Sequence, residues 1–164
     1  MQKLTQIITK VLSIILIILM AVMVIDVTWQ VFTRFIIKNP SGFTEELAGF
    51  LLIWIGLLGA SYAYRIKAHL GIDILTARLT GVKRKTSEIL VSVIVFLFAL
   101  FILVIGGLRL VDITFTLKQI SPSIGIPMGY IYSVLPITGI LFMYYSIVFI
   151  IESLKQNEVK GRVF

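Results

Sequence analysis

The sequence contains no cysteine and a single histidine, His69. The absence of cysteine excludes disulfides, thiolate metal sites and cysteine nucleophiles. One histidine cannot supply both axial ligands of a bis-histidine haem from this chain alone. Charge is also scarce, because Asp, Glu, Lys and Arg make up only 14% of the 164 residues. These absences argue against an enzyme, and we expect no catalytic residue, metal or cofactor in this chain.

Apolar residues dominate instead. They make up 59% of the chain, whereas soluble domains contain about 45–50% apolar and about 25% charged residues. Mean hydropathy is +1.04. Both departures indicate an integral membrane protein with a single membrane domain over residues 1–164. The formal net charge of +7 therefore predicts basic loops beside phospholipid and not nucleic-acid binding.

Four apolar segments are long enough to cross a bilayer as helices, which takes about 20 residues. We place the spans at about residues 11–37, 45–64, 88–110 and 130–151. Lys3 and Lys10 resemble the start of a signal peptide, but no small-residue cleavage site follows, so we expect an uncleaved signal anchor. Pro136 predicts a kink in the fourth span unless that helix begins nearby. The predicted fold is an all-α integral membrane protein with four transmembrane helices.

The basic residues are distributed unevenly between the two sides that these spans define. Eleven of the 15 Lys and Arg residues lie in the N-terminal tail, the loop after the second span and the C-terminal tail. Short loops rich in Lys and Arg stay on the cytoplasmic side of a membrane. We therefore predict that both termini are cytoplasmic and that, in a bacterial cell, residues 38–44 and 112–130 face the periplasm.

The loop after the second span carries an amphipathic pattern. Its apolar positions at helical spacing are Ile72, Leu75, Leu79 and Val82. We expect a short helix at about residues 71–82 in the cytoplasmic membrane interface, and a structureless loop is the alternative. His69 and Asp73 lie four residues apart at its start. Two ligands do not make a metal site, so a local hydrogen bond or helix cap is the better interpretation.

Polar residues at membrane depth are candidates for function, because an unpaired charge there is costly. Asp26, Gln30 and Arg34 recur every four residues in the second half of the first span. Three interpretations stay open: a proton or ion relay through Asp26, structural pairing with neighbouring helices, or solvated charges at the outer interface. A relay would make the chain an autonomous small transporter or channel. The apolar cores of the third and fourth spans supply no acid or histidine to continue it.

Glu45 and Glu46 stand at the predicted start of the second span. Thr44 is a candidate N-cap, and acids in a first turn favour the positive end of the helix dipole. In a second interpretation, one of these carboxylates pairs with Arg34 across the short turn and locks the first two helices together.

Small residues in the second span, and Gly106-Gly107 in the third, would allow another helix to approach closely. Gly56 and Gly59, near Trp54, lie on one side with Ala60 and Ala63. The neighbour is either a helix of the same chain or one of another subunit, and both interpretations stay open.

Four short motifs follow one another in the first half of the chain. They are Arg34-Phe35, Phe43-Thr44-Glu45-Glu46-Leu47, Trp54-Ile55-Gly56-Leu57-Leu58-Gly59-Ala60 and His69-Leu70-Gly71-Ile72-Asp73. In this order they resemble the small, Q-type transmembrane subunit of tripartite ATP-independent periplasmic (TRAP) transporters, and the resemblance covers essentially the whole chain. Phe43 departs from the tryptophan that the family often carries there, but it is also a large aromatic suited to an interface.

The resemblance implies a non-catalytic subunit of a sodium-driven transporter in the bacterial inner membrane. A larger multi-span subunit would hold the substrate and sodium sites, and a periplasmic binding protein would deliver an organic acid of the C4-dicarboxylate or sialic acid class. This chain would scaffold the large subunit, and its structural or interface residues would be Arg34, Glu45, Glu46, Trp54, Gly56, Gly59, His69 and Asp73. The predicted docking surface for the binding protein comprises Lys38, Asn39, Ser41, Lys118, Gln119 and Ser121.

Overall fold

The computed structural model describes residues 2–38, 41–66 and 82–160. Within these residues the chain is helical, apart from short turns and an isolated antiparallel bridge between Ile120 and Pro127. Among the described residues, four helical spans are long and apolar enough to cross a membrane, as an all-α multi-pass membrane protein requires. We number them span 1 to span 4; their bounds are Lys3–Ile37, Gly42–Arg65, Lys85–Thr116 and Met128–Leu154.

The spans are built from six α-helices and two π-helical segments. The α-helices are α1 (Gln2–Phe32), α2 (Gly42–Arg65), α3 (Val82–Phe98), α4 (Gly107–Thr116), α5 (Met128–Tyr132) and α6 (Val134–Lys160). The π-helical segments are Thr33–Ile37, at the end of span 1, and Ala99–Gly106, between α3 and α4. Helix α1 begins well before residue 11, the predicted start of the first span, because helical hydrogen bonding continues into the polar residues that precede the apolar run.

Span 4 is interrupted at Ser133, between α5 and α6. Pro136 lies in the first turn of α6, where it has no N–H to donate to the carbonyl of Tyr132. Helix α6 therefore begins close to Pro136. This is the case in which sequence analysis expected no kink at the proline.

Span 4 also forms the centre of the bundle. Span 1 packs on span 2, span 2 packs on span 4, and span 4 packs on span 3. In the most apolar stretch of each span, 44% of the residues are buried in span 4, against 11% in span 1 and 17% in span 3. Spans 1 and 3 therefore expose most of their apolar surface, and a bilayer or another membrane protein has to cover it.

Spans 3 and 4 meet closely at glycines of both helices. A Cβ atom added at Gly107 would lie 2.9 Å from the Cβ of Leu135, and one added at Gly139 would lie 2.7 Å from Cγ2 of Val104. These contacts are too short for any side chain, so the two helices approach each other because both positions lack one. Sequence analysis named Gly107 as one such position, together with those in span 2, but did not name Gly139.

Several predictions fall on residues outside the described ranges. These are the interfacial helix at about residues 71–82, except Val82, which begins α3, and the positions of His69, Asp73 and Asn39. They stay predictions.

Candidate functional site

The bundle has two ends, and the polar contacts collect at both of them. The tail end contains the start of span 1, the end of span 2, the start of span 3 and the end of span 4. The turn end contains the two short connections, between spans 1 and 2 and between spans 3 and 4. We call the second of these connections, residues 117–127, the turn-end loop.

A carboxylate of span 2 holds the turn-end loop in place. Glu46 Oε2 accepts a hydrogen bond from the hydroxyl of Ser121 and two from backbone N–H groups, Ser123 at 3.1 Å and Ile124 at 3.2 Å. Ser121 is almost completely buried. A charged acceptor with several donors forms a stronger contact than a neutral hydrogen bond does. Glu46 therefore ties the start of span 2 to the loop that joins spans 3 and 4.

Backbone bonds close the same loop from within. The N–H of Ser121 donates to the carbonyl of Ile126 at 2.9 Å, and the N–H of Met128 donates to the carbonyl of Gln119 at 2.9 Å. The turn between Ser121 and Ile126 ends at Gly125. The φ of Gly125 is 77°, in the left-handed region that favours glycine. The loop thus presents one defined surface at the turn end.

Span 2 begins earlier than the start at about residue 45 that sequence analysis predicted from Glu45 and Glu46. Its first residue is Gly42, and its N-cap, Ser41, makes no side-chain capping bond. Thr44 is therefore not the N-cap: it lies in the first turn, where its hydroxyl donates to the carbonyl of Ser41 at 2.9 Å. Glu45 is exposed in that turn.

The structure does not bring Arg34 together with the acidic pair. Arg34 is exposed on the π-helical end of span 1, and in the described residues the ion pair present is a different one, Arg65 with Glu152 at 3.4 Å. The physical reason is that Glu46 turns towards the turn-end loop, where three donors converge on it.

The three polar residues predicted to recur along span 1 differ in their exposure. Asp26 is buried, Gln30 is half-buried and Arg34 is exposed. Each step of four residues advances about 40° beyond a full helical turn, so the three positions wind around the helix. Thr33, next to Arg34, is also buried, and its hydroxyl donates to the carbonyl of Gln30 at 3.0 Å.

Asp26 is the buried acid of this region. It is 7% exposed, and its Oδ2 atom has no hydrogen-bond partner in the part of the chain that the structure describes. Burying an unsatisfied carboxyl oxygen is costly, so this position stays the strongest candidate for the relay interpretation.

The residues singled out in span 2 separate into internal and external positions. Trp54 is internal, because its indole N–H donates to the carbonyl of Ile131 at 3.1 Å and so joins spans 2 and 4. A Cβ added at Gly59 would make an ordinary contact with Leu16 at 3.9 Å. Gly56 is exposed, and among the described residues nothing lies within 4 Å of the position its Cβ would take.

An exposed helix face surrounds Gly56. We call it the span 2 face, and its residues are Gly49, Leu52, Ile53 and Gly56. Their spacing of three, one and three residues places them on one side of α2. Like Gly56, Gly49 would have an added Cβ in open space within the described structure. The face is apolar and allows another backbone to approach closely.

Hydroxyl groups connect span 1 and span 2 to span 4 at the tail end. Tyr64 bonds with Ser146 at 3.2 Å, and two threonines of span 1 bond with tyrosines of span 4: Thr5 with Tyr144 at 2.9 Å and Thr9 with Tyr145 at 3.3 Å. Sequence analysis missed this cluster. The available signal was the run Tyr144-Tyr145-Ser146 within an apolar span, since hydroxyls at that depth need partners.

The predicted docking positions differ in their exposure. Lys38, Lys118 and Gln119 are exposed at the turn end, and Ser41 is half-buried. Ser121 is buried and donates a hydrogen bond to Glu46, so it stabilises the turn-end loop and does not lie on its exposed surface.

Comparison with known proteins adds to this geometry. The sequence model of the DctQ component of tripartite ATP-independent periplasmic transporters matches residues 23–156. The sialic acid TRAP transporter permease protein SiaT of Haemophilus influenzae is 32% identical over 70% of this chain, which spans 18% of that permease. The sialic acid TRAP transporter small permease protein SiaQ of Vibrio cholerae is 26% identical over 88% of this chain and 82% of its own length. The C4-dicarboxylate TRAP transporter small permease protein DctQ of Rhodobacter capsulatus is 30% identical over 61% of this chain and 44% of its own length.

Proposed function

The chain belongs to the DctQ family of small subunits of tripartite ATP-independent periplasmic transporters, and we propose that it scaffolds the larger membrane subunit of such a transporter. The observation that carries this proposal is the span 2 face. It is apolar and rich in glycine, and no described residue of the chain covers it. Helices associate in membranes through small residues that let their backbones approach. A helix of the large subunit is therefore the expected occupant.

We assign this chain no substrate or sodium site. It holds one buried acid in the described spans, Asp26, and shows no internal repeat of the kind from which complete secondary transporters are built. In the proposed assembly, sodium-driven uptake takes place in the large subunit. The transported compound belongs to the organic acids, with sialic acids and C4-dicarboxylates as the classes that the names of the relatives suggest.

We propose that the turn end faces the periplasm and that both termini are cytoplasmic, in the inner membrane of a bacterial cell. The support is the excess of Lys and Arg in the tails and in the loop after span 2. With this orientation the turn-end loop faces the periplasmic binding protein. Exposed Lys118 and Gln119, together with Lys38 of the neighbouring turn, form the proposed docking surface, and Glu46 keeps the loop in position beneath it.

The test of the scaffold role is co-purification of the tagged chain from its native membrane in mild detergent. The wild-type chain is expected to bring down a multi-span companion. Replacing Gly56 with leucine places a bulky side chain on the span 2 face, and overpacking of about 1–3 kcal/mol should reduce recovery of the companion about five-fold or more. The matched control is Gly106→Leu, which adds the same side chain at an exposed glycine of span 3.

Two outcomes would contradict the proposal. Equal recovery with both variants would show that the span 2 face does not bind the companion. Sodium-driven uptake by the purified chain alone in liposomes, lost in Asp26→Asn, would instead indicate an autonomous transporter that uses Asp26.

A further inference from the structure

A cleft lined by both polar and apolar side chains opens at the tail end between spans 1, 2 and 4. Its volume is about 600 Å³, within the range of about 300–1,000 Å³ that is usual for ligand sites. The polar side chains that line it include Gln6, Lys10 and Ser13 of span 1, Tyr62 and Arg65 of span 2, and Glu152 of span 4. We call it the tail-end cleft.

Donors outnumber acceptors among these side chains. The side chains of Lys10, Gln6 and Tyr62 make no hydrogen bond to another described residue, and all three carry N–H or O–H groups. Ser13, by contrast, donates to the carbonyl of Lys10 at 2.8 Å. A ligand that fits this cleft would accept hydrogen bonds and carry negative charge.

Arg65 is held in a fixed position within the cleft. Its guanidinium forms an ion pair with Glu152 at 3.4 Å and lies over the ring of Phe149, 5.2 Å from the ring centre. Glu152 thereby offsets one of the two cations, and Lys10, on the opposite wall, provides the uncompensated charge. This pattern fits a singly charged anion.

The cleft continues along span 1 as an apolar track. Gln6, Lys10 and Ser13 are followed at the same spacing of three and four residues by Ile17, Met20 and Val24, which therefore lie on the same side of α1. These three side chains are 67%, 48% and 61% exposed. A ligand with a polar anionic head in the cleft has room for a hydrocarbon chain along this track, deeper in the membrane.

We propose that the tail-end cleft binds the phosphodiester headgroup of a phospholipid whose acyl chain lies along Ile17, Met20 and Val24. Lys10, Gln6 and Tyr62 donate to the phosphate, and Arg65 adds its remaining N–H groups. The leaflet occupied depends on the proposed orientation, which makes it the cytoplasmic one, but binding itself does not depend on the transport role.

The test is native mass spectrometry of the full-length chain, purified in mild detergent with the subunits that accompany it, freed of lipid and titrated with defined compounds. Phosphatidylglycerol carries both the phosphodiester and the acyl chains. Diacylglycerol has the same chains without phosphate, and glycerophosphoglycerol has the phosphodiester without chains. The expected result is one saturable copy of phosphatidylglycerol and no binding of the other two at the same concentration.

Substitution separates a local site from general attraction to the membrane surface. In the proposed site Lys10 donates a charge-assisted hydrogen bond to the phosphate, which is stronger than a neutral one, so Lys10→Gln should weaken phosphatidylglycerol binding about ten-fold or more. Because Lys10 is exposed, its replacement should leave the fold intact. The matched control is Lys85→Gln, which removes one charge at the same end of the bundle but outside the cleft, and it should leave binding nearly unchanged because Lys85 does not contact the phosphate in the proposed site.

Three results would overturn the proposal. Equal weakening by Lys10→Gln and Lys85→Gln would indicate diffuse attraction without a site. Binding of glycerophosphoglycerol as tight as that of phosphatidylglycerol would assign the cleft to a soluble phosphate ester. Equal binding of diacylglycerol would show that only the apolar track is occupied.

Discussion

The packing of spans 3 and 4 should be sensitive to a single methyl group at Gly139. In a Gly139→Ala variant the added carbon would lie 2.7 Å from Cγ2 of Val104, 2.9 Å from Cβ of Leu103 and 3.1 Å from the backbone nitrogen of Val104. The side-chain methyl of Val104 can give way, but the backbone cannot without moving span 3. The variant therefore has to shift one helix against the other.

The expected change in the free energy of unfolding of Gly139→Ala combines two opposing contributions. Overpacking costs about 1–3 kcal/mol, and alanine in place of glycine within a helix returns about 0.5–1 kcal/mol. The net loss of about 0–2.5 kcal/mol corresponds to a change of up to about sixty-fold in the unfolding equilibrium, with each 1.4 kcal/mol worth about ten-fold. Gly56→Ala is the matched control: its added carbon meets no described atom within 4 Å, so the helix-forming term alone should stabilise it slightly.

Unfolding of these variants can be followed by the fluorescence of Trp54. Trp54 donates to the carbonyl of Ile131 and so reports the contact between spans 2 and 4. The other tryptophan, Trp29, is exposed and is replaced by phenylalanine in all variants. Unfolding of the purified chain is followed by fluorescence during denaturant titration in mild detergent. If Gly139→Ala proved as stable as Gly56→Ala, the close approach of spans 3 and 4 would be refuted.

Three further predictions concern the turn end, the orientation and the core. Glu46→Ala removes the acceptor shared by three donors, so backbone amides of the turn-end loop should exchange with deuterium faster, while Glu45→Ala, at an exposed neighbour, should leave them unchanged. Since the chain has no cysteine of its own, single cysteines can replace Lys3 and Lys118; a membrane-impermeant maleimide added to spheroplasts should label only the second, and labelling of the first alone would reverse the proposed orientation. Trp54→Phe loses one hydrogen bond and should lower the free energy of unfolding by about 0.5–1.5 kcal/mol, measured by circular dichroism during denaturation; an unchanged midpoint would contradict a structural role for that bond.

The four spans were predictable because their signal is local. About 20 apolar residues in a row have no stable alternative to a membrane helix, and the part of the chain that the structure describes contains four helices of sufficient length and apolarity. The ordered motifs between Arg34 and Asp73 were also sufficient for the family, since the matched region covers residues 23–156. Both conclusions depend on neighbours in sequence and need no knowledge of contacts between distant residues.

The partners of individual side chains were less predictable. Glu46 was assigned to the helix dipole or to Arg34, but it binds a loop 75 residues away. Gly107 was among the small residues expected to allow a close helix contact, and with Gly139 it makes one within the chain, whereas a Cβ at Gly56 would meet no described atom within 4 Å. Small residues show where close approach is possible, but they do not show which helix makes it.

The sequence alone determined that this protein is an all-helical membrane protein with four spans of the small TRAP subunit class, because hydrophobic length and local motifs are properties of consecutive residues. The tertiary structure decided that span 4 is central, that Glu46 supports the turn-end loop, and that a cleft lined by Lys10 and Arg65 opens at the tail end. These features depend on how helices rotate and cross, and in a membrane that choice is made by shape and hydrogen bonding between helices, since apolar faces alone do not distinguish one neighbour from another.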